Sequence, residues 1–397
     1  MIKAILFDLD NTLLTNPGLP FVQGYLRLGD EHFSRAWGYD GFSQTALDIL
    51  RAMNGSRPDP QETNAQLGTR VIAASAHRGF DETAVELRRF YSETYASLQP
   101  CVTPLAQAVE IVEASRNAGY GIIIATNPIY PSAAIRQRMN WGDLAADLEH
   151  YTFVSHAENM HFIKPDPAYY AEILARIGVE PDEAIMVGDD WENDIRPAAI
   201  LGIHTYHISP EPDRSPNENS GSLQDFHVAI VSDTWQQTLV RHPLDPKMIE
   251  PQLRGNIGAL FGLLGSIKPH FWDQHPDPNE WSPLQIVCHL WESEDNVQRP
   301  RLERILTDDN PFLATTKKPL GPQKFYCAAT GMDYARKLAS ARQKTIHWLR
   351  TLDYEDWFRP ARHSIFGPTT LLEMAHFTAQ HDRLHLNQLC QTLGNCE

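Results

Sequence analysis

The sequence lacks the features that are typical of secreted, membrane-spanning and nucleic-acid-binding proteins. Five cysteines among 397 residues follow no regular spacing, which argues against a disulfide framework and favours a reducing compartment. The longest apolar stretches, such as residues 121–125, are far shorter than the roughly 20 residues that span a bilayer. Basic residues are scarce, with 34 Lys and Arg against 50 Asp and Glu, and such an acidic chain repels nucleic acid and anionic lipid. No secretion signal follows Met1, so we expect a cytoplasmic protein with no nucleic-acid or membrane partner.

The charge is unevenly distributed, which indicates two units. Residues 1–245 contain 17 basic and 33 acidic side chains, whereas residues 246–397 contain 17 of each. The length also exceeds that of one ordinary domain. A hydrophobic fraction of 42% is that of a folded globular protein. We therefore expect two folded units of different origin.

Three apolar runs in the first part predict strands of a parallel sheet. They cover residues 2–7, 121–125 and 184–187, and they end at Asp8, at Thr126 and at Gly188-Asp189 respectively. Continuous apolar runs suit strands that are buried on both faces, and residues 105–117 and 167–177 are helical in pattern. The fold class is therefore α/β, a Rossmann-like parallel sheet. Because ligands bind at the carboxyl ends of such strands, the polar endings should share one cleft.

The remaining segments define the expected boundaries. Residues of about 16–98 are helical in pattern and predict an inserted helical cap. Residues of about 209–225 are rich in Pro, Ser, Asn and acid and predict a mobile loop. A strand at 227–231 and a helix at 235–240 should close the first domain, which covers residues 1–242. A linker at 243–249 then precedes a second domain at 250–397.

The second domain shows helical patterns only. The first helix should cover residues 253–268, and Ser282, Pro283 and Gln285 predict a capped start for a second that extends through 297. A third is expected at 333–352. The fourth should begin at Thr370, with Glu373 completing a capping box, and end before residue 394. These four helices predict a separate all-α four-helix bundle.

Polar side chains with a common chemistry follow the predicted strands or lie in loops between them. The carboxylates, the hydroxyl, the amide and the lysine occur in the order Asp8, Asp10, Thr126, Asn127, Lys164, Asp189, Asp190 and Asp194. A carboxylate that attacks a phosphate ester needs a hard cation to offset the repulsion of like charges, and oxygen ligands hold such a cation.

This ordered set resembles the haloacid dehalogenase (HAD) superfamily across residues 1–242. The resemblance implies that Asp8 is the nucleophile and Asp10 the general acid and base, and that Thr126, Asn127 and Lys164 contact the phosphoryl group. It also implies that Mg²⁺ is held by Asp8, the backbone carbonyl of Asp10 and Asp189. Asp190 and Asp194 support the metal, and the sequence leaves their relative roles open.

Asp10 also favours one reaction among those of the superfamily. An alkoxide leaving group needs a proton, whereas a halide does not, so an acid at this position favours a phosphatase over a dehalogenase. Cleavage of a carbon–phosphorus bond is disfavoured, because only Lys3 and Lys164 precede Lys247 and the cap contains no lysine for a Schiff base. We expect a HAD-type phosphoric monoester hydrolase that acts on a small phosphorylated metabolite through an aspartyl-phosphate.

Three histidines in the second domain form a candidate metal site. His381 and His385 are four residues apart, hence on one face of the last helix, and His289 lies on the second helix. Three imidazoles leave a coordination position open, as catalytic metal sites do. The segments 281–290 and 381–389 resemble the DinB-like family, and this resemblance implies a metal triad with zinc or nickel.

The role of the bundle has alternatives. In one, it is a metal-dependent thiol transferase that uses a low-molecular-weight thiol and carries the main reaction. In the other, it is a non-enzymatic dimerisation or regulatory module, which would make the protein a homodimer or a regulated phosphatase. Neither the thiol nor the oligomeric state follows from the sequence.

Overall fold

The computed structural model describes residues 1–55, 61–209, 219–232, 235–265, 267–315 and 330–394. The chain divides into two compact units. One is drawn from Met1–Arg57, Glu62–Tyr169 and Val179–His242, and the other from Tyr170–Gly178 and Pro243–Glu397. No helix of the described residues is both long and apolar enough to cross a bilayer.

The first unit is built on a six-stranded parallel sheet. Phe7 pairs with both Ile124 and Val187, so the segments that follow these three central strands leave the sheet at the same edge. The strands of this unit are β1 (Ala4–Phe7), β2 (Leu14–Thr15), β3 (Thr103–Pro104), β4 (Gly121–Ile124), β5 (Phe153–Val154), β6 (Ala184–Gly188), β7 (His204–Ile208) and β8 (Asn219–Gly221). The order of the strands in the six-stranded sheet is β5-β4-β1-β6-β7-β8.

In the described part of the chain, four α-helices lie between β2 and β3, which pair with each other in antiparallel orientation. Thr63 and Gln66 form a capping box at the start of the third of these helices. Phe33, Phe42 and Phe90 are buried among other aromatic rings, and this packing of large apolar side chains stabilises the helical insertion. The helices are α1 (Leu19–Trp37), α2 (Phe42–Asn54), α3 (Asn64–Ser75) and α4 (Phe80–Arg89).

Five more α-helices of the described residues follow β3 and precede residue 235, and Tyr170–Gly178, which includes most of the third of them, is assigned to the second unit. They are α5 (Ala108–Asn117), α6 (Ser132–Trp141), α7 (Pro167–Ile177), α8 (Arg196–Ile200) and α9 (Leu223–Ser232). The predicted strand at 227–231 is wrong, because these residues belong to α9. Leu223, Phe226 and Ile230 are buried at helical spacing, whereas Val228 and Val231 are 60% and 69% exposed, and a short apolar run alone does not distinguish the two structures.

The predicted loop at 209–225 also needs correction. Its last residues form β8 and the first turn of α9. Residues 210–218 lie outside the described residues. Trp235–Thr238 forms a short 3-10 helix where the closing helix was expected.

Long helices dominate the second unit, which confirms the predicted all-α bundle. Ser282 and Gln285 form the predicted capping box, and Thr370 and Glu373 are hydrogen bonded to each other as expected. The second helix ends at Ser293 rather than 297, and a π-helical turn at Glu294–Gln298 leads into a further helix. The helices are α10 (Ile249–Leu264), α11 (Pro283–Ser293), α12 (Arg299–Thr307), α13 (Gly331–Leu349) and α14 (Leu371–Gly394).

A small three-stranded sheet, which the sequence patterns did not indicate, accompanies the bundle. It consists of β9 (Phe312–Leu313), β10 (Pro360–His363) and β11 (Gly367–Thr370). Strands of two to four residues carry too little alternation to be recognised in a sequence.

Candidate functional site

The carboxyl edge of the central strands gathers the predicted catalytic residues of the first unit. Asp8 follows β1, Thr126 follows β4 closely, and Asp189 follows β6. Lys164 lies in the loop before α7, where its ammonium is 2.6 Å from Asp8 Oδ1 and 2.5 Å from Asp194 Oδ1. Only 3% of Lys164 is exposed. One buried cation therefore links two carboxylates that are far apart in the sequence.

Three carboxylates form a cluster that fits a hard cation. Asp8, Asp189 and Asp194 each offer an oxygen, and these atoms lie within 4.8 Å of one another. Burial, together with the charge of Asp8, raises the pKa of Asp189 to about 6. Burial also raises the pKa of Asp194 to about 7, although Lys164 opposes the shift. One lysine does not neutralise three carboxylates, so the cluster has the donor set and the excess negative charge that Mg²⁺ requires.

Asp190 is not brought into this cluster. Its carboxylate accepts hydrogen bonds from the backbone N–H groups of Glu192 and Asn193, at 2.9 and 3.0 Å. The side-chain amide of Asn193 donates to it as well, at 2.7 Å. Asp190 thereby caps the turn at Trp191–Ile195. Of the two carboxylates whose roles the sequence left open, only that of Asp194 lies with Asp8 and Asp189.

Asp10 contacts a residue that sequence reasoning missed. Its carboxylate accepts hydrogen bonds from Asn16 Nδ2, at 2.8 Å, and from the guanidinium of Arg138. Arg138 lies on α6 and is 1% exposed, and burial lowers its pKa to about 10 while the charge of Asp8 opposes the shift. The sequence indicates this residue only weakly. Position 138 follows the buried Ala134 by four residues, so helical spacing places an arginine on the buried face of α6.

Thr126 and Asn127 lie in a loop whose position is fixed by hydrogen bonds. The backbone oxygen of Thr126 accepts from the hydroxyl groups of Ser155 and Tyr169, at 2.6 and 2.8 Å. Asn127 Oδ1 is buried and has no hydrogen-bond partner among the described residues. An amide oxygen in this state is available to a bound molecule. Ser155 and Tyr169 were not predicted, because a contact to a backbone oxygen leaves no pattern in the sequence.

The three predicted histidines of the second unit lie together. His289, His381 and His385 each offer a nitrogen, and these atoms are within 4.8 Å of one another. The Nε2 atoms of His289 and His381 are 3.3 Å apart, and two nitrogens that bind one tetrahedral ion at about 2.0 Å are separated by roughly 3.3 Å. Burial is the main cause that lowers the pKa of His381 to about 4. Burial also lowers the pKa of His385. The imidazole of His381 is therefore neutral at pH 7, as a metal ligand must be.

Neighbouring side chains orient the triad. His385 Nδ1 lies 2.9 Å from Gln388 Oε1, and a hydrogen bond donated there leaves Nε2 of His385 free to bind a metal. The ring of Trp281 stacks on His385 at 5.7 Å and meets His289 edge-on at 4.8 Å. Nitrogen donors of this kind suit Zn²⁺ or Ni²⁺.

A buried ion cluster lies beside the triad. Arg342 donates to Asp382, the residue after His381, at 2.6 Å, and to Glu294 at 2.9 Å. Both Arg342 and Glu294 are 1% exposed. The cluster joins α13 and α14 to the π-helical turn after α11, and so constrains the helices that carry the histidines.

Family comparisons agree with this geometry. The model of the haloacid dehalogenase-like hydrolases matches residues 2–202. The chain belongs to the haloacid dehalogenase-like hydrolases. The model of the DinB superfamily matches residues 252–389. Both resemblances seen in the sequence are thus confirmed, and with them the expected hydrolase class.

Similar proteins of known function or structure cover one unit each. A phosphoserine phosphatase of Thermus thermophilus is 26% identical over 256 residues, which cover 57% of this chain and 98% of the relative. A phosphoglycolate phosphatase of Rhodospirillum rubrum is 25% identical over 247 residues, covering 59% and 91%. A solved structure of YfiT from Bacillus subtilis, described as a probable metal-dependent hydrolase with an unusual four-helix bundle topology, is 18% identical with a TM-score of 0.35, covering 39% and 90%.

Proposed function

We propose that the first unit of this HAD-like hydrolase is a Mg²⁺-dependent phosphatase that acts on a small phosphorylated metabolite through an aspartyl-phosphate at Asp8. The observation that carries the proposal is the contact of Lys164 with both Asp8 and Asp194 at 2.6 and 2.5 Å. This contact supports the proposal because one buried cation lies within hydrogen-bond distance of two carboxylates, one of which is the proposed nucleophile. The phosphatases to which the chain is similar support the same reaction.

The reaction divides into two displacements at phosphorus. In the first, an oxygen of Asp8 forms a bond to phosphorus while the ester P–O bond breaks, and Asp10 gives its proton to the departing alkoxide. In the second, water attacks phosphorus, Asp10 takes a proton from that water, and the bond to Asp8 breaks. Lys164 and the hydroxyl of Thr126 stabilise the equatorial oxygens. When bound at Asp8, Asp189 and Asp194, Mg²⁺ supplies the positive charge that lets an anionic nucleophile approach an anionic ester.

Substitution of the nucleophile tests this proposal. Phosphate release from a panel of phosphorylated metabolites is measured with Mg²⁺ for the full-length wild type and for Asp8→Asn. Release by the wild type and its loss in Asp8→Asn are expected. Asp40→Asn, the same change at an exposed position between α1 and α2, is the matched control and should behave as the wild type. Turnover by Asp8→Asn at the wild-type rate contradicts the proposal.

For the second unit, the metal triad remains a proposal, and the bundle binds Zn²⁺ or Ni²⁺ through His289, His381 and His385. A metal held by these three nitrogens would keep a coordination position open and could lower the pKa of a bound thiol, which favours a thiol transferase over a purely regulatory module. Metal content of the purified full-length protein tests the site. One equivalent is expected in the wild type and in His347→Ala, whose histidine is exposed on α13, and none in His381→Ala. A full equivalent in His381→Ala would refute the triad.

A further inference from the structure

A cavity of about 370 Å³ lies among the inserted helices of the first unit. Its walls come from α1 to α4 and from the loop that follows β4, and they are mostly apolar. Val22, Leu47 and Phe80 line the cavity and yet are 42%, 43% and 44% exposed. Large apolar side chains that surround a concavity and remain open to water mark a binding surface, and this volume is within the range of small-molecule sites.

The cavity adjoins the residues proposed for catalysis. Tyr130 lines it, and the Tyr130 ring is 5.6 Å from the guanidinium carbon of Arg138, which donates to Asp10. The loop that carries Tyr130 begins with Thr126 and Asn127. Asn64 on α3, another lining residue, donates to the backbone oxygen of Pro128 in this loop at 3.3 Å. One wall of the cavity is therefore continuous with the phosphoryl-binding loop.

We infer that this cavity receives an apolar alkyl or aryl group of the substrate, an inference that rests on the proposed phosphatase function. The departing oxygen carries the organic part of the ester, and Asp10 protonates that oxygen, so the organic part must extend past Asp10. Arg138, which donates to Asp10, and Tyr130, which lines the cavity, are neighbours and connect the two places. The substrate class is a phosphate monoester of an apolar alcohol.

The composition of the walls gives this class its selectivity. A methylene group that enters an apolar cavity gains the free energy of leaving water. Arg88 and Glu158 are the two charged residues of the lining, and the rest of the wall is mostly apolar. A second charged group, such as the carboxylate of phosphoglycolate or the ammonium and carboxylate of phosphoserine, loses hydration wherever it faces the apolar part of the wall. The chain should therefore prefer apolar esters to the substrates that the names of its relatives indicate.

A series of n-alkyl phosphates from methyl to octyl tests the inference on the full-length protein with Mg²⁺. We expect kcat/KM to rise roughly threefold to fourfold per added methylene until the cavity is filled. Phosphoglycolate and phosphoserine should be turned over less efficiently than hexyl phosphate. A flat series, with phosphate release that still depends on Asp8, overturns this inference and leaves the proposed function standing. Absence of phosphate release from every ester overturns the proposed function itself.

Cavity-filling variants give a second test. Ala84→Phe occupies the cavity from α4, and Gly68→Leu occupies it from α3, where an added Cβ finds its nearest neighbour, Ile49, at 3.9 Å. The ratio of kcat/KM for hexyl phosphate to that for methyl phosphate should fall about tenfold in both. Ala74→Phe, at an exposed position of α3 outside the cavity, should keep the ratio within about twofold of the wild type. Equal ratios in all four proteins, each shown to be folded by its thermal transition, overturn the inference.

Discussion

The guanidinium of Arg138 donates a hydrogen bond to the carboxylate of Asp10, and the two residues come from different elements of the first unit. Arg138 is buried and its ring neighbours are Phe21 and Tyr130, at 5.8 and 5.6 Å from the guanidinium carbon. A buried arginine held in this way fixes the direction of the Asp10 carboxylate. Arg138 thus acts on the reaction through Asp10.

Replacement of Arg138 should impair catalysis through Asp10. We expect Arg138→Met to lower kcat about 10-fold to 100-fold, since the general acid and base loses its orientation, and Arg138→Lys to lower it less. In Asp10→Asn, the further change Arg138→Met should cost little, because the two residues act as a unit. Independent, multiplicative losses would assign Arg138 a purely structural role.

The two neighbouring aspartates should differ in their sensitivity to substitution. Asp194→Asn removes a carboxylate that contacts Lys164 at 2.5 Å, and we expect kcat/KM to fall about 10-fold to 100-fold, with a weaker apparent affinity for Mg²⁺. Asp190→Asn keeps a side-chain oxygen that caps the following turn, so the loss should be about threefold or less. Mg²⁺ titration of the activity of both variants measures the difference. The reverse order of effects would place Asp190 in the metal site.

The raised pKa values in the carboxylate cluster predict how pH affects stabilisation by Mg²⁺. The pKa values of about 6 for Asp189 and about 7 for Asp194 lie above the ordinary value of 3.8, so the folded protein binds more protons than the unfolded chain between these limits. The metal-free protein therefore loses stability as the pH rises from about 4 to about 7.

Mg²⁺ competes with those protons and should offset this loss. We expect a 10-fold molar excess of Mg²⁺ over protein to raise Tm more at pH 8 than at pH 5.5. Thermal unfolding at constant ionic strength measures both increases. Asp194→Asn should show a smaller difference between the two pH values. An increase in Tm that is independent of pH would mean that the cluster does not bind the ion.

Gln388 should tune the metal affinity of the histidine triad. Gln388→Leu removes the acceptor that lies 2.9 Å from His385 Nδ1, and we expect the metal affinity to fall about 10-fold to 100-fold without a loss of stoichiometry. Competition with a chromogenic chelator measures the affinity. Gln343→Leu, at an exposed position of α13, is the matched control. Equal affinities of the two variants would show that His385 is oriented in another way.

The sequence predicted those features that depend on local chain chemistry. The change from apolar to polar residues marks the end of a buried strand. The sequence alone therefore predicts that Asp8 and Asp189 lie at one edge of the sheet. The capping box of Ser282 and Gln285 was likewise a local signal, and it is confirmed. The spacing of His381 and His385 placed them on one helical face.

The features that were missed depend on contacts between distant segments. Helical spacing places Arg138 on the buried face of α6, but the local sequence does not indicate that its partner is Asp10, 128 residues away. Asp190 and Asp194 look equivalent in the sequence, and they separate because the turn between them directs one outward and the other to Lys164. The apolar run at 227–231 has the composition of a buried strand, although Leu223 and Phe226 upstream form one helical face with Ile230.

The Arg342 cluster limits how this bundle can change. Loss of Arg342 alone would leave Glu294 and Asp382 buried without a counter-charge, and loss of either acid would leave the guanidinium only partly compensated; breaking such a pair typically costs about 3–5 kcal/mol. An apolar replacement of the whole cluster is tolerable only when several substitutions arrive together. A single substitution at any of these three positions therefore destabilises the bundle. The position of the helix that carries His381 is maintained, while exposed residues around it can vary.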